Sequence, residues 1–241
     1  MACVTAAHDN ETSIQNSSPG DFSKLADDIN SSLPAKTVVL AEDYEYNPQN
    51  DARYSQGIDI TSDDLTIDGQ GHTINANNQA RIFNIKSKNV ILENINFING
   101  HSDGQGGSVY ISSASASIVN STFKNSYSDK WGGAVAFKFG GNVIESTFEN
   151  NEAGTGGALF LGDAAQVINS TFSDNFAKFQ GGAISIYGKT LVQNTIFMNN
   201  TAGDGASIYS ESFSSIQDSE FIKNYAIGYG GGIYFMAGGN V

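Results

Sequence analysis

Short runs of alternating apolar and polar side chains, the pattern of half-buried strands, return along this chain every 24 to 26 residues. Phe97, Phe123, Phe148, Phe172, Phe197 and Phe221 mark the beat. Six small-residue pairs keep it as well: Gly106-Gly107, Gly132-Gly133, Gly156-Gly157, Gly181-Gly182, Gly205-Ala206 and Gly230-Gly231. Two unrelated markers in phase identify a structural repeat rather than an accident of composition.

Aligning the repeats on their phenylalanine exposes further columns. Five residues earlier stand Leu92, Ile118, Val143, Val167, Val192 and Ile216, aliphatic and mostly β-branched, as the inward face of a buried strand requires. Three residues before the ring, Asn94, Asn120, Glu145, Asn169, Asn194 and Asp218 mark a tight bend, because Asn tolerates the left-handed conformation and can pair its amide with the neighbouring repeat. Ser121, Ser146, Ser170, Thr195 and Ser219 follow, small enough to share the interior with stacked rings. Beyond the ring come Asn151, Asn175, Asn200 and Asn224, a variable loop, and the small-residue pair. Val109, Val135, Leu159, Ile184, Ile208 and Ile233 then open another strand. Each repeat is expected to hold three short strands, one tight bend and two loops. The fold is therefore expected to be all-β, a right-handed parallel β-helix in which each coil buries its apolar face against its neighbours.

The pattern extends upstream in weaker form through Val38, Ile58, Ile67, Ile74 and Phe83, giving about eight coils of roughly 25 residues. Ser18-Pro19-Gly20-Asp21 reads as a helix start with Ser18 at the cap, and Phe22, Leu25 and Ile29 share one helical face. A capping α-helix over Phe22 to Ser32 would cover the first coil, which otherwise exposes strand edges. Residues 1–17 are expected to be a flexible tail and signal-peptide remnant, and 18–241 the β-helix domain. Gly239-Asn240-Val241 echoes Gly141-Asn142-Val143, so the domain is expected to be truncated at its C-terminal end, where an uncapped coil could associate end to end in an otherwise monomeric protein.

Composition agrees with closely spaced turns. Only 15% of residues are charged, and 27 glycines accompany abundant Asn and Ser, while 39% hydrophobic residues in periodic positions supply the core that a disordered chain lacks. A net charge of −13, with Arg53 and Arg81 the only arginines, excludes a phosphate-binding surface and hence a nucleic-acid partner. Cys3 alone can build neither an intrachain disulfide nor a thiolate metal site. No run of 18 apolar residues is present to span a membrane as a helix.

Gly181-Gly182-Ala183-Ile184, paired with Phe172-Ser173-Asp174-Asn175, is similar to the repeat of chlamydial polymorphic outer-membrane proteins. Leu65-Thr66-Ile67-Asp68-Gly69-Gln70-Gly71-His72-Thr73-Ile74, followed by Arg81-Ile82-Phe83-Asn84-Ile85, resembles the adhesin-like proteins of methanogenic archaea. The resemblance implies a secreted, cell-surface β-helix that attaches to glycans or proteins of another cell. It specifies the fold more strongly than the function.

Candidate chemistry is sparse. Tyr110, Phe160, Tyr209 and Tyr234 share the position between two inward columns, so alternation points them outward. They form either a sugar- or protein-binding strip or a ladder that stabilises the sheet. Trp131, His101 and Asp103 lie in variable loops, where contact residues gather. Sugar-cleaving β-helices need clustered carboxylates, whereas those of this chain are dispersed, with Asp63-Asp64 and Asp68 in turns. A non-catalytic adhesin is accordingly expected, with a polysaccharide lyase or hydrolase and an inert stalk as alternatives. No catalytic residue, metal ligand or cofactor is assigned. Asp103, Asp163 and Asp204 leave calcium open, without a compact acidic loop.

Overall fold

A computed structural model describes residues 18–33 and 36–241. The expected tail, with Cys3 and the signal-like opening, lies outside the described residues. The repeat closes into a right-handed parallel solenoid of about eight coils. A nine-stranded sheet carries the aliphatic column, and two eight-stranded sheets carry the rings and the strands that follow the glycine pairs. The latter two are termed the phenylalanine sheet and the tyrosine sheet. Coils are numbered by their strand in the phenylalanine sheet, from Tyr44–Glu45 in the first to Glu220–Ile222 in the eighth.

Parallel strands in exact register place like residues above like, one coil rise apart. Phe97, Phe123, Phe148, Phe172, Phe197 and Phe221 are consecutive partners. Their rings stack at 4.5 to 5.3 Å between centroids, within 11° of parallel. Ile67, Leu92, Ile118, Val143, Val167, Val192 and Ile216 form the matching aliphatic column, none more than 2% exposed. Burying each such side chain contributes about 1.5–3 kcal/mol.

The bend column adopts the left-handed conformation throughout, from φ 54° at Asn94 to 49° at Asp218. A second left-handed position, unforeseen from sequence, follows each ring by two residues: Asn99, Asn125, Asn150, Asp174, Asn199 and Lys223. The phenylalanine strand is thus bracketed by bends on both sides. The first residue of each small pair is Gly at φ 61° to 68°, which explains why the pair always begins with Gly.

Two expectations need correction. Three strands per coil holds in the first two coils. From the third to the eighth, the variable loop contributes a fourth short strand, His101–Ser102 through Tyr225–Ala226, and these make a six-stranded sheet. The helix spans Phe22–Ser32, but its cap is Asp21 rather than Ser18. Gly20 is committed to a parallel bridge with Tyr44, which holds residues 18–20 outside the helix. The Asp21 carboxylate accepts the Lys24 N–H at 2.8 Å. The Asp51 carboxylate, fully buried, accepts the N–H groups of Phe22 and Ser23 at 3.0 and 2.8 Å. Orphan donors at the helix start are thereby satisfied from a distant segment, and Phe22, Leu25 and Ile29 close the end of the core.

Inside the solenoid the main amide ladder runs through Asn151, Asn175, Asn200 and Asn224. The Asn175 amide donates to the Phe148 carbonyl at 3.1 Å and to Asn200 Oδ1 at 3.0 Å, while its own Oδ1 accepts from the Asn151 backbone and side chain. The bend column pairs this way in the early coils, Asn120 onto Asn94 and Asn94 onto Asp68.

Candidate binding face

The six-stranded sheet gathers much of the exposed apolar surface. Its outward column reads, in register, His101, Tyr127, Glu152, Phe176, Thr201 and Tyr225. From the fourth coil onward, aromatic residues alternate with polar ones coil by coil. A second row, just before the glycine pairs, reads in register Trp131, Thr155, Gln180 and Asp204; the exposed Phe179 stands one residue before Gln180, and the exposed Tyr229 precedes Gly230 in the eighth coil. Trp131 and Phe176 are each 41% exposed, Phe179 54%, Tyr225 63% and Tyr229 70%.

Loop length alternates along with it. The fourth and sixth coils carry one residue more than the fifth, and the pairing register shifts between Ser128 and Trp131 and between Ala153 and Thr155. Such bulges bend a strand and re-aim its side chains. The carbonyls of the bulged coil press on the shorter coil that follows. A Cβ at Gly154 would lie 2.9 Å from the carbonyl oxygens of Asp129 and Lys130, and one at Gly203 would lie 2.5 Å from that of Phe179. Ridges of aromatic residues therefore alternate with glycine-floored steps. Asp204 reinforces the next ridge by accepting the Tyr229 N–H at 2.7 Å.

The strip expected on the tyrosine sheet is in register, Tyr110, Ala136, Phe160, Ser185, Tyr209 and Tyr234, and points away from the main core. It is not a free aromatic surface. Phe160 is 6% exposed and Tyr209 2%, because neighbouring rings cover them. Trp131 stacks on Phe160 at 5.0 Å, Tyr187 approaches it from the other side at 5.1 Å, and Tyr234 lies 5.6 Å from Tyr209. Burial, then the nearby Glu211 carboxylate, push the Tyr187 hydroxyl up to about 12. Tyr110 and Tyr234 are half-buried. The strip therefore forms an outer packing layer, with Trp131 joining it to the six-stranded sheet.

Beside Tyr110, the buried Arg81 guanidinium lies 5.6 Å from the ring centroid and donates to the carbonyls of Gln56, Gln105 and Gly106 and to Ser102 Oγ. These bonds pin the loop that carries His101 and Asp103. His101 stacks on Tyr127 at 5.3 Å and sits 3.5 Å from the exposed Asp103 carboxylate. The pair extends the face by one coil.

Elsewhere the carboxylates hold coils together. Asp59 receives Asn84 and Lys86, Asp63 the Lys88 N–H, Asp64 Asn89, and Asp174 Asn199. Asp103, Asp163 and Asp204 lie in separate coils, and among the described residues no three His, Cys, Asp or Glu side chains converge as metal ligands.

Sequence reasoning singled out Trp131 but missed Phe176, Phe179, Tyr225 and Tyr229. Phe176 and Tyr225 stand four residues after their core phenylalanine, as Tyr127 does, but His101, Glu152 and Thr201 share that offset, so the column shows no single residue type. The available signal was a period of two coils, since Phe176 stands 49 residues from both Tyr127 and Tyr225.

Residues 107–241 match the family model described as the right handed beta helix region. No curated protein matches the chain.

Proposed function

Because the chain belongs to the right-handed β-helix family, we propose that it is a non-catalytic attachment module, secreted or displayed at the cell surface, which holds glycans or proteins of another cell. The observation that carries this reading is the concentration of exposed aromatic side chains on the six-stranded sheet, since rings presented along a rigid face give contact area at low entropic cost. The resemblance of the repeats to those of surface adhesins supports it. So does the use of Asp59, Asp63, Asp64 and Asp174 to bridge coils. On this reading no cofactor is needed.

Glycan-array and whole-cell binding by the chain test the proposal, with Phe179→Ala/Tyr229→Ala as the altered face. Binding that falls in this variant is expected. Undiminished binding in the variant, or release of fragments from a bound polysaccharide, would count against an aromatic, non-catalytic attachment face.

A further inference from the structure

The two-coil alternation defines what the face fits. Neighbouring strands rise about 4.8 Å, so successive aromatic ridges stand roughly 10 Å apart along the axis. Three ridges are present, built on the in-register rings of Tyr127, Phe176 and Tyr225, with Trp131, Phe179 and Tyr229 later in the loops of the same coils. In the steps between them, Glu152 and Thr201 offer hydrogen-bonding groups. A ligand that matches this face repeats at the same distance, presents a flat apolar side once per repeat, and offers hydroxyls between.

We infer that this face takes an extended, uncharged, β-linked polysaccharide lying parallel to the solenoid axis, with one disaccharide to every two coils. In such a ribbon each sugar is turned over relative to the last, so every second ring presents the same face, and its C–H surface stacks on an aromatic side chain. The net charge of −13 selects against acidic polymers and leaves a neutral one. Because the outward rings are fixed by in-register strand pairing, their spacing exists before the ligand arrives, which favours a stiff polymer over a flexible one. The inference rests on the attachment reading above and narrows it to one class of partner.

Titration calorimetry with cellulose- and chitin-type oligomers, from dimer to octamer, tests it on the full chain. A dimer covers one ridge, a trimer two and a pentamer three. Affinity is expected to rise about three- to tenfold at the trimer and again at the pentamer, with little gain at the tetramer. Phe176→Ala/Phe179→Ala flattens the middle ridge and should abolish the trimer step while keeping a gain at the pentamer. Tyr225→Ala/Tyr229→Ala should do the reverse. Circular dichroism establishes that each variant keeps its strands. Glycan binding that grows smoothly with length, or that prefers acidic polymers, overturns this inference but leaves glycan attachment standing. Binding to cell-surface protein without any glycan overturns it too. Failure to bind any glycan or cell removes both readings.

Discussion

The indole of Trp131 in the fourth coil lies 5.0 Å from the ring of Phe160 in the fifth, tilted by 13°. One of its faces completes a packing layer, and the other contributes to a ridge open to solvent. Trp131→Ala should therefore lower stability by about 1 kcal/mol through the lost stacking. Phe179→Ala, at a side chain 54% exposed, should change stability by less than about 0.5 kcal/mol. Denaturant midpoints measured on both variants check the contrast. Equal midpoints would mean that Trp131 does not support Phe160.

Asn175 bridges three coils from a fully enclosed position. Asn175→Leu should destabilise by about 3 kcal/mol, because the Asn151 donors lose their acceptor and the Phe148 carbonyl loses its donor. Asn175→Asp should be worse at neutral pH, where a buried anion faces a carbonyl, and should partly recover in acid as the carboxyl regains a proton to donate. Thermal melts of the two variants at neutral and acidic pH give the comparison. An Asp variant insensitive to acid would refute the ladder's donor role.

Asp51 accepts the first two N–H groups of the helix, the Ser23 hydroxyl and the Asn47 N–H. Asp51→Ala should detach the helix locally, with protection lost by roughly 2–3 kcal/mol over Phe22–Ser32 and little change in later coils. Hydrogen exchange resolved along the chain would show this gradient. Uniform loss over all coils would instead make the cap part of one cooperative unit.

Burial raises the Asp68 carboxyl, but hydrogen bonds from Asn94 and Gln70 prevail and hold it below the ordinary 3.8. Asp28 is held down in the same sense, burial being outweighed by bonds from Lys24 and Tyr44. A carboxylate with a depressed folded-state pKa contributes stability that is fully present above its unfolded value and lost as pH falls through the folded one. The helix and early coils should accordingly loosen as pH drops below 3.8, before the phenylalanine stack does. Circular dichroism at the helix band against pH, compared between the chain and Asp68→Asn, tests this. In the variant, the acid-dependent loss should shrink.

Columns of single residue type were legible in the sequence because parallel, in-register coils convert a repeat of about 25 residues directly into neighbours in space. The aliphatic, phenylalanine and glycine columns follow from that geometry alone. Where residue type alternates between coils, as at the offset shared by Tyr127, Glu152, Phe176, Thr201 and Tyr225, no column stands out, and so the six-stranded sheet and its ridges escaped a coil-by-coil reading. Alternation correctly placed Phe160 and Tyr209 on the outer side of their strand. It could not show that rings from Trp131, Tyr187 and Tyr234 close over them, since those contacts join different loops. The helix was anticipated from its apolar spacing, but Asp51 lies 29 residues from Phe22, beyond the reach of any local capping rule.

The amide ladder also bears on mechanical load. Tension along the axis acts across the hydrogen bonds between coils, and each buried Asn adds bonds at the same interface as the strand ladder. Such a stack should yield one coil at a time from its ends, each event paying out about 80 Å of chain at ~3.3 Å per residue. A tether that lengthens in small, repeatable steps under a pull sheds force gradually instead of failing at once.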